Sequence, residues 1–400
     1  MTEMPKTEKR QGRLGYLLAS TGVSVTGDGV LLAATPLLAA SLSRDPLQIG
    51  IVSAAGYAAW LSVGLPAGAL VDRWPRRRVM VTVDLLRTLV LLALAGLIVS
   101  GNSSIWALAI MVFVLGVGSC FFDPAGQAMI PALVGRDKDD LARANGKFWA
   151  LDTFGRALAG PPLGAAAFAV ARFLPFAMDA LSFLLSALFV SRLPEASRST
   201  TTSQSILVSV RDGVHFLSCS SELRALVLGE AGYNLGWNIA CATLVLFAQD
   251  VLHVGNVGYG LLLAAGAAGG VLSARLVPRL AQAVAGRLVF AIGLLVQAAS
   301  WLLVLLGGSP WLAGLGLVAL GFASNALSVV IGSTMQRLTP DDKLGRVVAA
   351  GRVLGIGSAA IGAFVGGLIA ELWGLHVPFL VAAVLVLVIS TVFFLCHRQR

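Results

Sequence analysis

Twelve apolar runs, each long enough to cross a bilayer, recur along this chain with centres near residues 27, 58, 90, 116, 158, 183, 236, 267, 297, 323, 359 and 387. A hydrocarbon core takes roughly 20 such residues per span. Inside it every backbone polar group must find its partner within the chain, which makes runs of this kind helices. With 57% hydrophobic and only 12% charged residues, the chain has too little polar side chain to cover a water-facing surface. The expectation is an all-α polytopic membrane protein. Twelve spans place both termini on one side.

The basic residues say which side. Lys6, Lys9, Arg10 and Arg13 precede the first run, and alternate connections carry Arg73 with Arg76 to Arg78, then Arg136, Lys138, Arg143 and Lys147, then Arg275, Arg279 and Arg287, then Arg337, Lys343 and Arg346. The opposite connections offer Arg44 and Arg172. Excess Lys and Arg mark the cytoplasmic face, so both termini are expected there. The net charge of +9 is thereby accounted for by short clusters between spans, and nucleic acid is not an expected partner. Between the sixth and seventh spans a Ser/Thr-rich stretch reads as a linker. It is followed by Leu207, Val210, Val214 and Leu217 at helical spacing opposite Arg211 and Asp212, the pattern of a helix lying on a membrane surface.

Other classes lack their chemistry. Cys120, Cys219, Cys241 and Cys396 lie far apart, and the four histidines form no metal-ligand spacing, so neither a metal nor another cofactor is expected. "ANGKFW" at 144 to 149 lacks the spacing and the hydroxyl of a phosphate loop. "GIGSAAIG" at 355 to 362 lies inside a span, where small residues serve close helix packing. No enzyme is expected.

The two halves echo each other. "GALVDR" at 68 to 73 meets "GVLSAR" at 270 to 275, and Gly160 and Gly164 meet Gly362 and Gly366, at one shared offset of 202. The expected units are an N-terminal six-helix bundle at 1–193, a cytoplasmic linker with its surface helix at 194–223, and a C-terminal six-helix bundle at 224–400.

"GALVDRWPRRR" from Gly68 to Arg78 resembles the G-x-x-x-D-R-x-x-R-R loop of the major facilitator superfamily, with Pro75 where that loop usually has Gly. "GPPLG" at 160 to 164 resembles the antiporter motif of the superfamily's drug exporters, though Ala165 replaces a further Gly. "PAGQAMIPALV", "MDALSF" at 178 to 183 and "QRLTPDDKLGRV" at 336 to 347 resemble the branch holding macrolide-efflux and enterobactin-exporter proteins. The resemblance spans nearly the whole chain. It implies the major facilitator fold, two six-helix bundles related by pseudo-twofold symmetry; the richness in Ala, Gly and Arg points to a bacterium, and the expected location is its cytoplasmic membrane. The resemblance also implies a cytoplasmic gate formed by Gly68, Asp72, Arg73, Arg76 and Arg77 with Asp123, and an antiporter motif of Arg156, Gly160, Pro161 and Gly164.

Polar residues inside the spans supply the remaining candidates. Asp28 stands at the middle of the first run, where an ionised group costs several kcal/mol unless it has a partner or a cavity. Ser20, Ser24, Asp28 and Thr35 share one helix face. Glu230, Asn234, Trp237 and Asn238 form a similar face in the seventh span, and Asn325 begins a weaker one in the tenth. Such faces suit a central cavity, with Ser24, Tyr57, Asn234, Trp237, Asn238 and Asn325 contacting cargo. There a carboxyl can take a proton from one side and lose it to the other, the role expected of Asp28 and Glu230. Asp152 with Arg156, and Asp84 with Arg87, read as local ion pairs. The expected function is proton-coupled export of amphipathic small molecules, drugs or secondary metabolites, by a monomer among membrane lipids. The alternative is a lysophospholipid or siderophore transporter on the same fold.

Overall fold

The computed structural model describes residues 6–135, 137–195, 206–283 and 286–398. The described residues are helices and their connections. By packing they divide into two compact units, one of Met1–Leu38 with Ser62–Ser203, the other of Ala39–Leu61 with Gln204–Arg400. The division therefore cuts through α1 (Lys6–Leu42) and α2 (Pro46–Arg73). Residues 39–61 pack with the second unit because Gly50 lies 3.0 Å from the Cα of Gly367, measured from the position its Cβ would take. Two glycines facing each other allow backbones to touch, and small residues are what bring helices together in lipid.

The first unit continues with α3 (Arg76–Val99), α4 (Ile105–Val134), α5 (Lys138–Asp152), a π-turn (Thr153–Ala159), α6 (Gly160–Val170) and α7 (Leu174–Ser191). Ser104 caps α4 by accepting from the Ala107 amide at 3.2 Å, and Asp137 caps α5 by accepting from those of Asp139 and Asp140. These side chains satisfy amides that have no partner inside the first turn. Gly135, at φ +93°, ends α4 in a conformation that favours glycine. Leu17, Met80, Phe122, Met129 and Val190 form the apolar core.

The second unit holds α8 (Ile206–Cys219), α9 (Ser221–Cys241), the short α10 (Leu244–Leu246), a second π-turn (Phe247–Val251), α11 (Asn256–Ala283), α12 (Gly286–Leu306), α13 (Pro310–Leu338), α14 (Asp341–Trp373) and α15 (Val377–Arg398). Leu226, Phe290, Leu294, Leu327, Met335 and Val386 make its core. The expected surface helix is α8, and its Leu217 is buried in that core. Asp212 on its other face meets Arg346 of α14 at 3.0 Å. Leu207, Val210 and Arg211 have side chains outside the described residues, as do linker residues 196–205.

Ten single helices are long and apolar enough to span a bilayer, and the bent pair Ser221–Cys241 with Leu244–Val251 makes an eleventh. The twelfth expected run, centred near 158, is α5, the π-turn and α6 in succession. Leu89, Ile110, Leu181, Val384 and Val388 are exposed on the helices' outer faces, the apolar surface that lipid would cover.

Candidate functional site: a carboxylate cluster around Asp28

The π-turn sets the site. Pro161 and Pro162 have no N–H, so the carbonyls of Ala157 and Leu158 lose their ordinary helical donors. The amide of Gly160 reaches the carbonyl of Gly155, five residues back, and the widened turn contains Arg156. Its guanidinium Nη1 contacts Asp28 Oδ2 at 3.0 Å, while its Nε donates to Asp152 Oδ1 at 3.1 Å. One planar fork thus joins two carboxylates on different elements.

Glycines bring the elements close enough. A Cβ on Gly29 would lie 2.6 Å from the carbonyl oxygens of Gly155 and Arg156, and one on Gly160 would lie 2.5 Å from the Gly29 backbone. On the opposite side of α1, a Cβ on Gly27 would overlap the Asp179 carboxyl and the Ser182 hydroxyl of α7. "GDG" at 27 to 29 therefore seats Asp28 between two close helix crossings.

Around it lie more ionisable side chains. Asp84 and Arg87 of α3 are 0% and 3% exposed and 3.9 Å apart. Arg87 donates to Ser119 at 2.7 Å and stands over the rings of Phe122 and Phe183. Asp123 of α4 lies within electrostatic reach of Arg156 and Arg87. Ser20 and Ser186 hydrogen-bond at 3.0 Å, and Ser24 is 1% exposed, closed off within the unit in this structure. Arg73 is exposed, Arg76 donates to the Ala128 carbonyl at 2.9 Å, and Arg78 pairs with Glu195 at 3.1 Å. Gly68 lies in α2, and Arg77 is half-buried at the start of α3. The Asp72 side chain lies outside the described residues.

The corresponding face of the second unit carries aromatic and amide side chains beside Glu230. Trp237 stacks on Tyr233 with centroids 6.1 Å apart and meets Trp301 edge-on at 5.8 Å. The Asn238 amide donates to the Asn234 carbonyl and the Asn234 amide to that of Glu230, and Tyr57 reaches the Asn238 side chain. Asn325 donates to the Gly270 carbonyl at 3.2 Å, tying α13 to α11. Among the described residues no ion pair reaches Glu230. The sequence marks Asp28 and Arg156 separately; their pairing joins α1 to the π-turn across 128 residues of chain and leaves no local pattern.

The sequence profile of the transmembrane secretion effectors matches residues 10–399. The chain belongs to this family of the major facilitator superfamily. It is 27% identical to the multidrug efflux pump Tap of Mycolicibacterium fortuitum over 98% of both chains. It is 22% identical to macrolide efflux protein A of Streptococcus pyogenes over 59% of this chain and 58% of that one. Its fold matches the nucleoside transporter NupG with a TM-score of 0.78 at 12% identity, covering 96% of this chain and all of that one. This superfamily member is thus a multi-pass membrane protein whose helices are those of a transporter.

Proposed function

We propose that the protein is a secondary-active exporter, coupling proton entry to the outward movement of amphipathic small molecules by alternating access across the bacterial cytoplasmic membrane. The observation that carries this reading is the bridge from Asp28 through Arg156 to Asp152. An ionised Asp28 holds Arg156 and with it the π-turn against α1. A proton on Asp28 removes the charge that attracts the guanidinium, freeing α1 to shift relative to the π-turn and α6. A change of one charge at a close helix crossing can bias a two-state element in this way.

Asn234, Trp237, Asn238 and Tyr57 combine aromatic faces with amide groups, a lining suited to amphipathic cargo. The names of the efflux relatives support export of drugs. The basic connections support cytoplasmic termini, with Arg73, Arg76 and Arg77 at the inner gate. Glu230 is the second candidate for proton coupling.

Inverted membrane vesicles provide the test, with ethidium as cargo and an imposed proton gradient. The expected result is gradient-driven ethidium movement in the wild type. Asp28→Asn should bind ethidium and no longer respond to the gradient. Equal gradient-driven movement by Asp28→Asn overturns the assignment of Asp28.

A further inference from the structure

Asp179 of "MDALSF" has no role in the bridge just described, yet it is 0% exposed and its carboxyl abuts Gly27, one residue from Asp28. One of its oxygens accepts from the Ser182 hydroxyl at 2.7 Å; the other, buried, has no hydrogen-bond partner. The charged groups facing it are Asp28 from α1 and Asp84 and Arg87 from α3, and α6 contributes none. Arg156 is engaged by Asp28 and Asp152, and Arg87 has Asp84 beside it and Ser119 as its hydrogen-bond partner. With Asp123 included, five carboxyl groups in this cluster share two guanidiniums. Among the described residues neither guanidinium pairs with the wholly buried Asp179, and a buried carboxylate left without a cation costs several kcal/mol.

Packing does not demand this carboxyl. At the equivalent crossing of the second unit, a Cβ on Gly236 would lie 2.7 Å from a Val386 methyl and 3.5 Å from the Ala382 carbonyl oxygen, where the first unit has the Asp179 carboxyl. An ionisable side chain thus stands in the first unit where a valine methyl suffices in the second.

We propose that Asp179 is a second proton-binding group, protonated while Arg156 holds Asp28 ionised. This inference rests on the proton-coupled reading above. One proton from water binds a carboxylate oxygen of Asp179 and later leaves to the other side; no other bond changes. Asp28 and Asp179 lie on either side of the Gly27 crossing, so a negative charge on one opposes a negative charge on the other.

The test is infrared spectroscopy of the purified full chain without cargo, reading the carbonyl stretch that only protonated carboxyl groups give. The wild type should show this band at neutral pH, with part of it lost in Asp179→Asn. An absent band, or one unchanged in folded Asp179→Asn, overturns the proposal. Should that variant fail to insert, Ser182→Ala answers instead. Removing the hydroxyl that donates to Asp179 should shift the band, and an unshifted band overturns the proposal. None of these readings needs transport, so a failed exporter reading is detected separately, by the ethidium assay. In that assay Asp179→Asn should also lower the number of protons moved per ethidium, which a packing role would leave unchanged.

Discussion

Gly366 of α14 lies against the backbone of Ile239 in α9, touching its carbonyl carbon and its Cα, each 2.8 Å from the position a Cβ would occupy. Gly164 meets Val30 through the same atoms at the same 2.8 Å. The glycines are 202 residues apart and their partners 209. On that register Val30 corresponds to Ile239, Asp28 to Trp237 and Thr21 to Glu230. Glu230 is thus no counterpart of Asp28, and the second unit puts an aromatic ring where the first puts a charge.

A methyl group at either glycine must push two helix backbones apart. Gly164→Ala and Gly366→Ala should each destabilise the protein by about 1–3 kcal/mol, the usual effect of overpacking. Gly68, also helical, has nothing within 4 Å of its would-be Cβ. Gly68→Ala should be neutral or up to about 1 kcal/mol stabilising, from helix propensity. Thermal unfolding in detergent compares the three, and equal midpoints for Gly164→Ala and Gly68→Ala would contradict the close crossing.

Arg156→Lys keeps the charge and loses the fork, so it cannot hold Asp28 and Asp152 together. Arg156 is 39% exposed, and the screened loss in stability should be only about 1 kcal/mol. Gradient-driven ethidium efflux should fall at least about tenfold, equivalent to about 1.4 kcal/mol on the switching barrier. Efflux at the wild-type rate would show that the two carboxylates need no common partner.

The apolar runs, the paired glycines and the motif loop make the fold readable in the sequence, because each follows from spacing along one helix. The site is less readable, because its contacts run between helices. Asp28 stands out as an ion among hydrocarbon, but its link to Arg156 joins α1 to the π-turn across 128 residues of chain and leaves no local pattern. Asp179 gives no helical pattern at all; only the crossing at Gly27 brings it to Asp28. The segment 39–61 is likewise legible as a span, while its packing with the second unit depends on Gly50 and Gly367 meeting across more than 300 residues of sequence.

Arg346 and Asp212 join α14 to α8 at 3.0 Å with both side chains partly exposed, so their coupling should be modest. A double-mutant cycle with Arg346→Ala and Asp212→Ala should give about 0.2–1 kcal/mol, smaller still in high salt. A coupling of several kcal/mol would mean the pair is shielded from solvent, contrary to the observed exposure.

Asp45 caps α2, its Oδ1 accepting from the amides of Leu47 at 2.8 Å and Gln48 at 3.3 Å. Burial pushes its carboxyl up, but the hydrogen bond with the Glu371 carboxyl and those from the Gln48 and Leu47 amides outweigh it, holding the group below the usual Asp range. The part of this lowering that comes from the two amides contributes stability that is complete above the unfolded value, near 4, and lost as pH falls through the folded one, whereas the Glu371 bond exists only while one of the two carboxyls holds a proton. The protein should therefore lose stability below about pH 4 partly through this cap. Asp45→Asn keeps a good cap but cannot titrate, so its unfolding midpoint should vary less across that acid range than the wild type's. Asp45→Ala should cost about 1 kcal/mol at neutral pH. If Asp45→Asn retains the full acid sensitivity of the wild type, the acid loss arises at other carboxyls and the cap contributes through its hydrogen bonds alone.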